Sequence, residues 1–190
     1  GKMNICVYGS SSNSIPQSYL KAGYELGKQI ASRGYGMVFG GGCDGMMGAA
    51  VRGMQSEGGW SIGIAPTFFQ GQGVLFRDCS EWIFTKTMRE RKHLMEHKSS
   101  AFIMTAGGIG TLEEFFEVLT LKQLSQLNKP ICILNTDGCF DELDALLKQL
   151  VKDGFMSADN LNLYFMSASI DEILNYIEKN ACADSERFQK

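Results

Sequence analysis

The residues best placed to do chemistry lie in one run, Ser-Ala-Phe-Ile-Met-Thr-Ala-Gly-Gly-Ile-Gly-Thr-Leu-Glu-Glu, from Ser100 to Glu114. It reads as a short apolar strand, a turn built on Gly107, Gly108 and Gly110, and the first turn of a helix. Glycines let a backbone approach a ligand closely. A helix start offers unpaired N–H groups and the positive end of a dipole, which suits a phosphate. Glu114, one turn in, would stand beside that phosphate as a carboxylate kept ionised by the dipole. A second group is Arg91, in Met88-Arg89-Glu90-Arg91-Lys92 just beyond another strand. If this helix borders the same crevice, a guanidinium there can meet a phosphate or a carboxylate.

Plainer readings stand beside these. Thr111-Leu112-Glu113-Glu114 is also a T-x-x-E capping box, so Glu114 could simply cap the helix. Arg91 and Lys92 could lie on a solvated face, paired with Glu90 or Glu96. Gly40-Gly41-Gly42-Cys43-Asp44-Gly45 matches G-x-G-x-x-G, but it follows the second strand, and the next strand ends in Ala65-Pro66 with no acidic residue for a ribose. A tight turn facing some other phosphorylated ligand is the better reading. His93-Leu94-Met95-Glu96-His97 matches H-x-x-E-H. No third ligand can be named, so an exposed charge cluster is expected and no metal. Asp44 is a candidate for an acid that gives up a proton.

The elements that must position these groups alternate. Strands are expected at Asn4–Tyr8, Gly36–Phe39, 61–65, Glu81–Thr85, 101–105, 130–135 and, short and last, 161–165. Helices are expected at 17–33, 46–56, Met88–Lys98, from the glycine turn through Leu127, at 140–152, and at 169–180 with Ser169 as N-cap and Glu172 three residues on. The small residues of 46–56 (Gly48, Ala49, Ala50, Gly53) predict close packing on the sheet. The least regular stretch, Thr67 to Ser80, has the length of a functional or mobile loop. This alternation predicts an α/β, Rossmann-like open parallel sheet with helices on both faces. Ligands bind beyond the carboxyl ends of such strands. Three glycine- or serine-rich loops fall there, after strands one, two and five.

The chain has 190 residues and a formal net charge of −3. One domain over residues 1–182 with a polar tail over 183–190 is expected. There is no basic stripe for nucleic acid and no apolar run long enough for a membrane. The chain enters a strand at once, so no secretory leader is expected. Its 6 cysteines are scattered without C-x-x-C spacing, as reduced thiols packed like small hydrophobes would be in a cytoplasmic protein.

The assembled residues resemble the LOG ("lonely guy") family of cytokinin-activating phosphoribohydrolases, whose older label is "possible lysine decarboxylase". The family pattern P-G-G-x-G-T-x-x-E with an upstream M-x-x-R-K is matched by Ala106 to Glu114 and Met88 to Lys92. The resemblance continues through Gly9-Ser10-Ser11, Gly40-Gly41-Gly42 with Gly45 to Gly48, Asn135 to Phe140 and Asp153 to Phe155. It implies a Rossmann-like homodimer that hydrolyses the N-glycosidic bond of a nucleoside 5′-monophosphate, AMP or N6-modified AMP, without a cofactor. The products would be free base and ribose 5-phosphate. Arg91 and Glu114 would be catalytic. Lys92, Gly107, Gly108, Ile109, Gly110 and Thr111 would hold the nucleotide, with Thr120 as a further contact and Gly9, Ser10, Gly41 and Gly42 in the facing loops. Ala106 departs from the family's proline, removing a φ restraint, and the loop around Gly71 to Val74 lacks a glutamate found in plant members. The alternative is a non-catalytic nucleotide or molybdenum-cofactor carrier on the same fold. No lysine stands in an identifiable pyridoxal-phosphate context, so nothing supports a decarboxylase.

Overall fold

The computed structural model describes residues 3–73, 75–76 and 78–185. Seven strands form one all-parallel sheet: β1 (Asn4–Tyr8), β2 (Gly36–Phe39), β3 (Ser61–Pro66), β4 (Glu81–Thr85), β5 (Ala101–Met104), β6 (Ile131–Leu134) and β7 (Phe165–Ser167). The spatial order is β4-β3-β2-β1-β5-β6-β7. The helices are α1 (Gln17–Ser32), α2 (Gly45–Ser56), α3 (Met88–Lys98), α4 (Ile109–Gln123), α5 (Asp141–Lys152) and α6 (Ile170–Ser185). Among the described residues no helix is long and apolar enough to cross a membrane. The expected fold class is observed. The central strands β1, β2, β3, β5 and β6 are buried almost throughout, which is why they read as unbroken apolar runs rather than alternating ones.

Successive residues of β1 divide the core. Ile5 and Val7 pack under α1, α2 and α6. Cys6 and Tyr8 pack under α3, α4 and α5. The chain runs outward from β1 to β4 and returns to β5 on the other side of β1, so the switch point lies between β1 and β5. The two strand ends are tied there: Thr105 N and Oγ1 each donate to Tyr8 O at 2.8 Å, and Ser10 N donates to Ala106 O at 2.9 Å.

Five expectations need correction. The small residues of α2 serve its contact with α1 more than with the sheet: a Cβ on Gly27 would lie 1.9 Å from Ala50 O, and one on Gly53 2.0 Å from Tyr24 O. Helix α4 stops at Gln123 rather than Leu127. Ser125 turns to φ 60°, Gln126 N reaches Leu121 O and Ser125 N reaches Lys122 O, a Schellman stop that the continuing apolar spacing of Leu124 and Leu127 conceals. The last strand lies at Phe165–Ser167 because Ala158–Asn162 coils into a 3₁₀ turn. At α6, Ser169 Oγ accepts from Glu172 N at 3.2 Å as expected, but the Glu172 carboxylate turns to Ser167 Oγ instead of completing the box. The tail expected from residue 183 begins inside α6, and residues 186–190 lie outside the described ones. Cys6, Cys43, Cys79, Cys132 and Cys139 are free thiols; the side chain of Cys182 lies outside the described residues.

Candidate active site

Helix α4 begins at Ile109 with Gly108 as its cap, and no side chain caps it. Thr111 is therefore inside the first turn and buried, with a Cβ on Gly107 falling 2.2 Å from its Oγ1. Glu114 lies in the second turn. The capping-box reading of Thr111 and Glu114 fails, since neither stands at a cap position, and Glu114 is left without that structural duty. Gly107 has a packing reason to be glycine. Gly108 and Gly110 have none: a Cβ at either would meet nothing within 4 Å, and neither has positive φ. Side chains could be built there without harm to the fold, so what those positions keep clear is the approach to the N–H groups of the helix start.

Arg91 comes from the first turn of α3. Thr87 caps that helix by accepting from Glu90 N at 3.1 Å, while Glu90 Oε2 accepts from Lys86 N at 2.9 Å. The Arg91 guanidinium lies over the end of β2, so close to Gly40 that a Cβ there would fall 1.9 Å from Nη2. Its Nη1 touches Met88 Sδ at 3.6 Å, and its Nε is buried with no hydrogen-bond partner. Among the described residues Arg91 forms no ion pair. Arg91 is half-buried, and a buried N–H donor left without an acceptor is costly unless a ligand meets it.

Arg91 and Glu114 line one cavity of 310 Å³ at the carboxyl ends of β1 and β2. Tyr8, Gly9, Ser11, Gly40 and Gly42 complete its floor, and Phe69, Gln72 and Leu75 form a wall. That wall belongs to the irregular stretch after β3. It is fastened to the β2 loop by a bridge between Gly42 and Leu75 and by Phe76 N donating to Gly41 O at 2.7 Å. Burial raises the Glu114 pKa to about 7; Arg91 opposes the rise, Glu113 adds to it, Lys92 opposes it and Glu117 adds to it. The expectation that the helix dipole keeps Glu114 firmly ionised is thus corrected: desolvation wins, and the carboxyl is poised to hold or release a proton near neutral pH.

The remaining candidates fall in different places. Gly9 and Gly42 line the same cavity as the catalytic candidates. Ser10, Gly107 and Gly108 line a neighbouring cavity of 340 Å³ on the other side of the glycine turn, with Tyr19 and Cys139. Ile109 is 89% exposed at the helix start. Gly41 sits at φ 87° under the Trp82 ring, outside both cavities. Lys92 Nζ pairs with Glu113 at 2.6 Å and Glu117 at 2.8 Å, not with the neighbours on its own helix. Thr120 is not brought to the cavity. It lies roughly 9 Å along the axis from Glu114, exposed, donating to Phe116 O at 2.6 Å. Asp44 is exposed and lines neither cavity. His93 and His97 are exposed with stacked rings 6.2 Å apart, and among the described residues no group of three His, Cys, Asp or Glu could hold a metal.

Sequence reasoning missed Tyr8, Gly40, Phe69 and Gln72 as parts of the cavity. Gly40 carried a signal, the first glycine of a G-x-G-x-x-G after a strand. The others carried none beyond loop length. Chemically, the cavity joins an anion-seeking guanidinium, a carboxyl poised near 7 and, close by, a glycine-lined helix start. The guanidinium offers a charge complement to an anion, and the carboxyl can give or take a proton near neutral pH.

The family model described as possible lysine decarboxylase matches residues 47–177. A cytokinin riboside 5′-monophosphate phosphoribohydrolase of Mycobacterium tuberculosis is 35% identical over 185 residues, 97% of this chain and 96% of that protein. A probable enzyme of the same description from Oryza sativa subsp. japonica is 35% identical over 92% of this chain and 77% of its own length. Among solved structures, the molybdenum cofactor binding protein of Rippkaea orientalis superposes with a TM-score of 0.73 at 26% identity, covering 94% of this chain and 97% of that one. The molybdenum cofactor carrier protein of Chlamydomonas reinhardtii shares the fold with a TM-score of 0.75 at 23% identity, over 96% and 99% of the two chains.

Proposed function

We infer the activity from one premise: the chain belongs to the possible lysine decarboxylase (LOG) family. It is a nucleoside 5′-monophosphate phosphoribohydrolase that cleaves the N-glycosidic bond of AMP or an N6-modified AMP to free base and ribose 5-phosphate. The observation that carries this reading is the meeting, in one cavity beside the glycine turn, of Arg91, whose Nε is buried without a hydrogen-bond partner and which forms no ion pair among the described residues, with a Glu114 poised near 7.

The 5′-phosphate rests on the N–H groups of Gly107 to Thr111, where the dipole and the side-chain-free approach favour it. Arg91 supplies the opposite charge. Bond cleavage develops positive charge on the ribose. Protonated Glu114 gives its proton to the departing base, then as a carboxylate stabilises the cation. It takes a proton back from the water whose oxygen joins the anomeric carbon. One carboxyl thus serves both halves of the reaction, and atoms and charge balance over the cycle.

Incubating the protein with AMP and N6-substituted AMP, and measuring free base and ribose 5-phosphate, tests the proposal. Glu114→Ala and Arg91→Ala are each expected to abolish release while melting as the parent does. Normal turnover by Glu114→Ala would refute the mechanism. The likeness to the Rippkaea orientalis protein favours a second reading, a carrier that binds a phosphorylated ligand without consuming it. Recovery of intact nucleotide with the protein, and no free base, would support that reading instead.

Homodimer formation is part of the proposal. Ile109, Phe116 and Leu124 leave apolar surface along α4 at 89%, 37% and 61% exposure, and a second copy would cover it. The five free thiols support a reducing compartment, the cytoplasm.

A further inference from the structure

Lys92 follows Arg91 on α3, and Glu113 precedes Glu114 on α4. The Lys92 ammonium is held between two carboxylates of α4, Glu113 at 2.6 Å and Glu117 at 2.8 Å, which are one helical turn apart. Lys92 is absent from the lining of the cavity that Arg91 and Glu114 share. The three side chains therefore tie the two helices together at the level where the catalytic pair face each other, and on the flank rather than inside the site. We propose that Lys92 is a positioning residue, the pin of a clasp with Glu113 and Glu117 that sets the approach of Arg91 to Glu114, and not a ligand of the nucleotide.

The inference rests on the phosphoribohydrolase reading for its kinetic arm only. Partly exposed ion pairs add little to stability, and this one is 24% to 53% exposed at its members. Its effect is on geometry and charge. The groups that face Glu114 are Arg91 and Lys92 from α3, Glu113 and Glu117 from its own helix, and Cys6 and Tyr8 from β1. Of these, Arg91 and Lys92 favour the carboxylate. Without Lys92, Glu113 and Glu117 are left uncompensated beside Glu114, and its pKa moves up.

The test compares Lys92→Met, Lys92→Arg and the parent. In the ligand-free proteins, carboxyl 13C NMR follows the titration of Glu114; with AMP, kcat and KM are measured against pH. Lys92→Met is expected to shift the Glu114 titration and the matching limb of the pH profile to higher pH. It lowers kcat about tenfold to a hundredfold, as loss of alignment does, with KM changed less than about twofold. Lys92→Arg, which can still bridge two carboxylates, restores the limb and most of kcat. An unmoved Glu114 titration in Lys92→Met overturns the clasp; a KM at least tenfold higher with kcat intact overturns it too and makes Lys92 a substrate ligand. If the parent releases no base from any nucleotide, the functional reading fails, and the NMR titration still decides the clasp.

Discussion

Gly40→Ala should silence the protein without unfolding it. The added Cβ would lie 1.9 Å from Arg91 Nη2, 2.9 Å from Cζ and 3.4 Å from Nε. Moving Nη2 from 1.9 Å to an ordinary 3.4 Å requires a withdrawal of about 1.5 Å by the guanidinium. The backbone at Gly40 has no positive φ, so alanine strains nothing there, and the obstructing group is the end of a flexible side chain beside a 310 Å³ cavity into which it can move. The cost to stability is therefore under about 1 kcal/mol, partly offset by the smaller entropy of the unfolded chain. Catalysis is less forgiving. A displacement of about 1 Å at a reacting group costs on the order of a hundredfold, about 2.7 kcal/mol of transition-state stabilisation. Base release from AMP should thus fall about a hundredfold in kcat/KM, while the melting temperature stays within about 2 °C of the parent. Turnover within threefold of the parent would mean that the position of Arg91 over β2 does not matter to the reaction, and the catalytic assignment of Arg91 would go with it.

Two further substitutions separate the fold from the site. Gly110 stands in the first turn of α4 with open space around a would-be Cβ. Gly110→Ala should stabilise the protein by up to about 1 kcal/mol, seen in denaturant unfolding, yet weaken AMP binding at least about tenfold by calorimetry. Glu114→Gln should change how stability depends on pH. With a folded pKa of about 7 against an ordinary 4.5, the native carboxyl keeps its proton between those values while the unfolded one loses it. The stability contribution is undiminished below 4.5, falls as pH rises from 4.5 to 7, and is flat above. Glu114→Gln should therefore raise the melting temperature relative to the parent at pH 8 and not at pH 4.5. Glu96, also raised to about 7 by burial and then by Glu117, keeps part of the slope in both proteins.

How much of this was legible in the residues depended on how local each cause is. Strands buried on both faces announce themselves as short apolar runs between glycines, so the parallel sheet and its ligand-facing end could be read directly. The glycine turn could be read for the same reason. The end of α4 could not, because an αL serine at position 125 stops the helix while the apolar spacing continues. Glu114 shows the deeper limit. Its sequence neighbours argue for a cap and for a dipole that lowers its pKa, both local effects. The folded chain instead buries it beside β1 and α3, and desolvation is the largest influence on it, raising its pKa. Lys92 is alike: adjacent acids on its own helix looked like its partners, but the ones it meets lie on α4. At both positions the local effect is worth a few tenths of a kcal/mol to about 1 kcal/mol, and burial across elements can exceed that. A motif names the residues of such a site. What protonation state they hold, and which of them touch ligand rather than one another, follows only from the packing between helices that the motif does not encode.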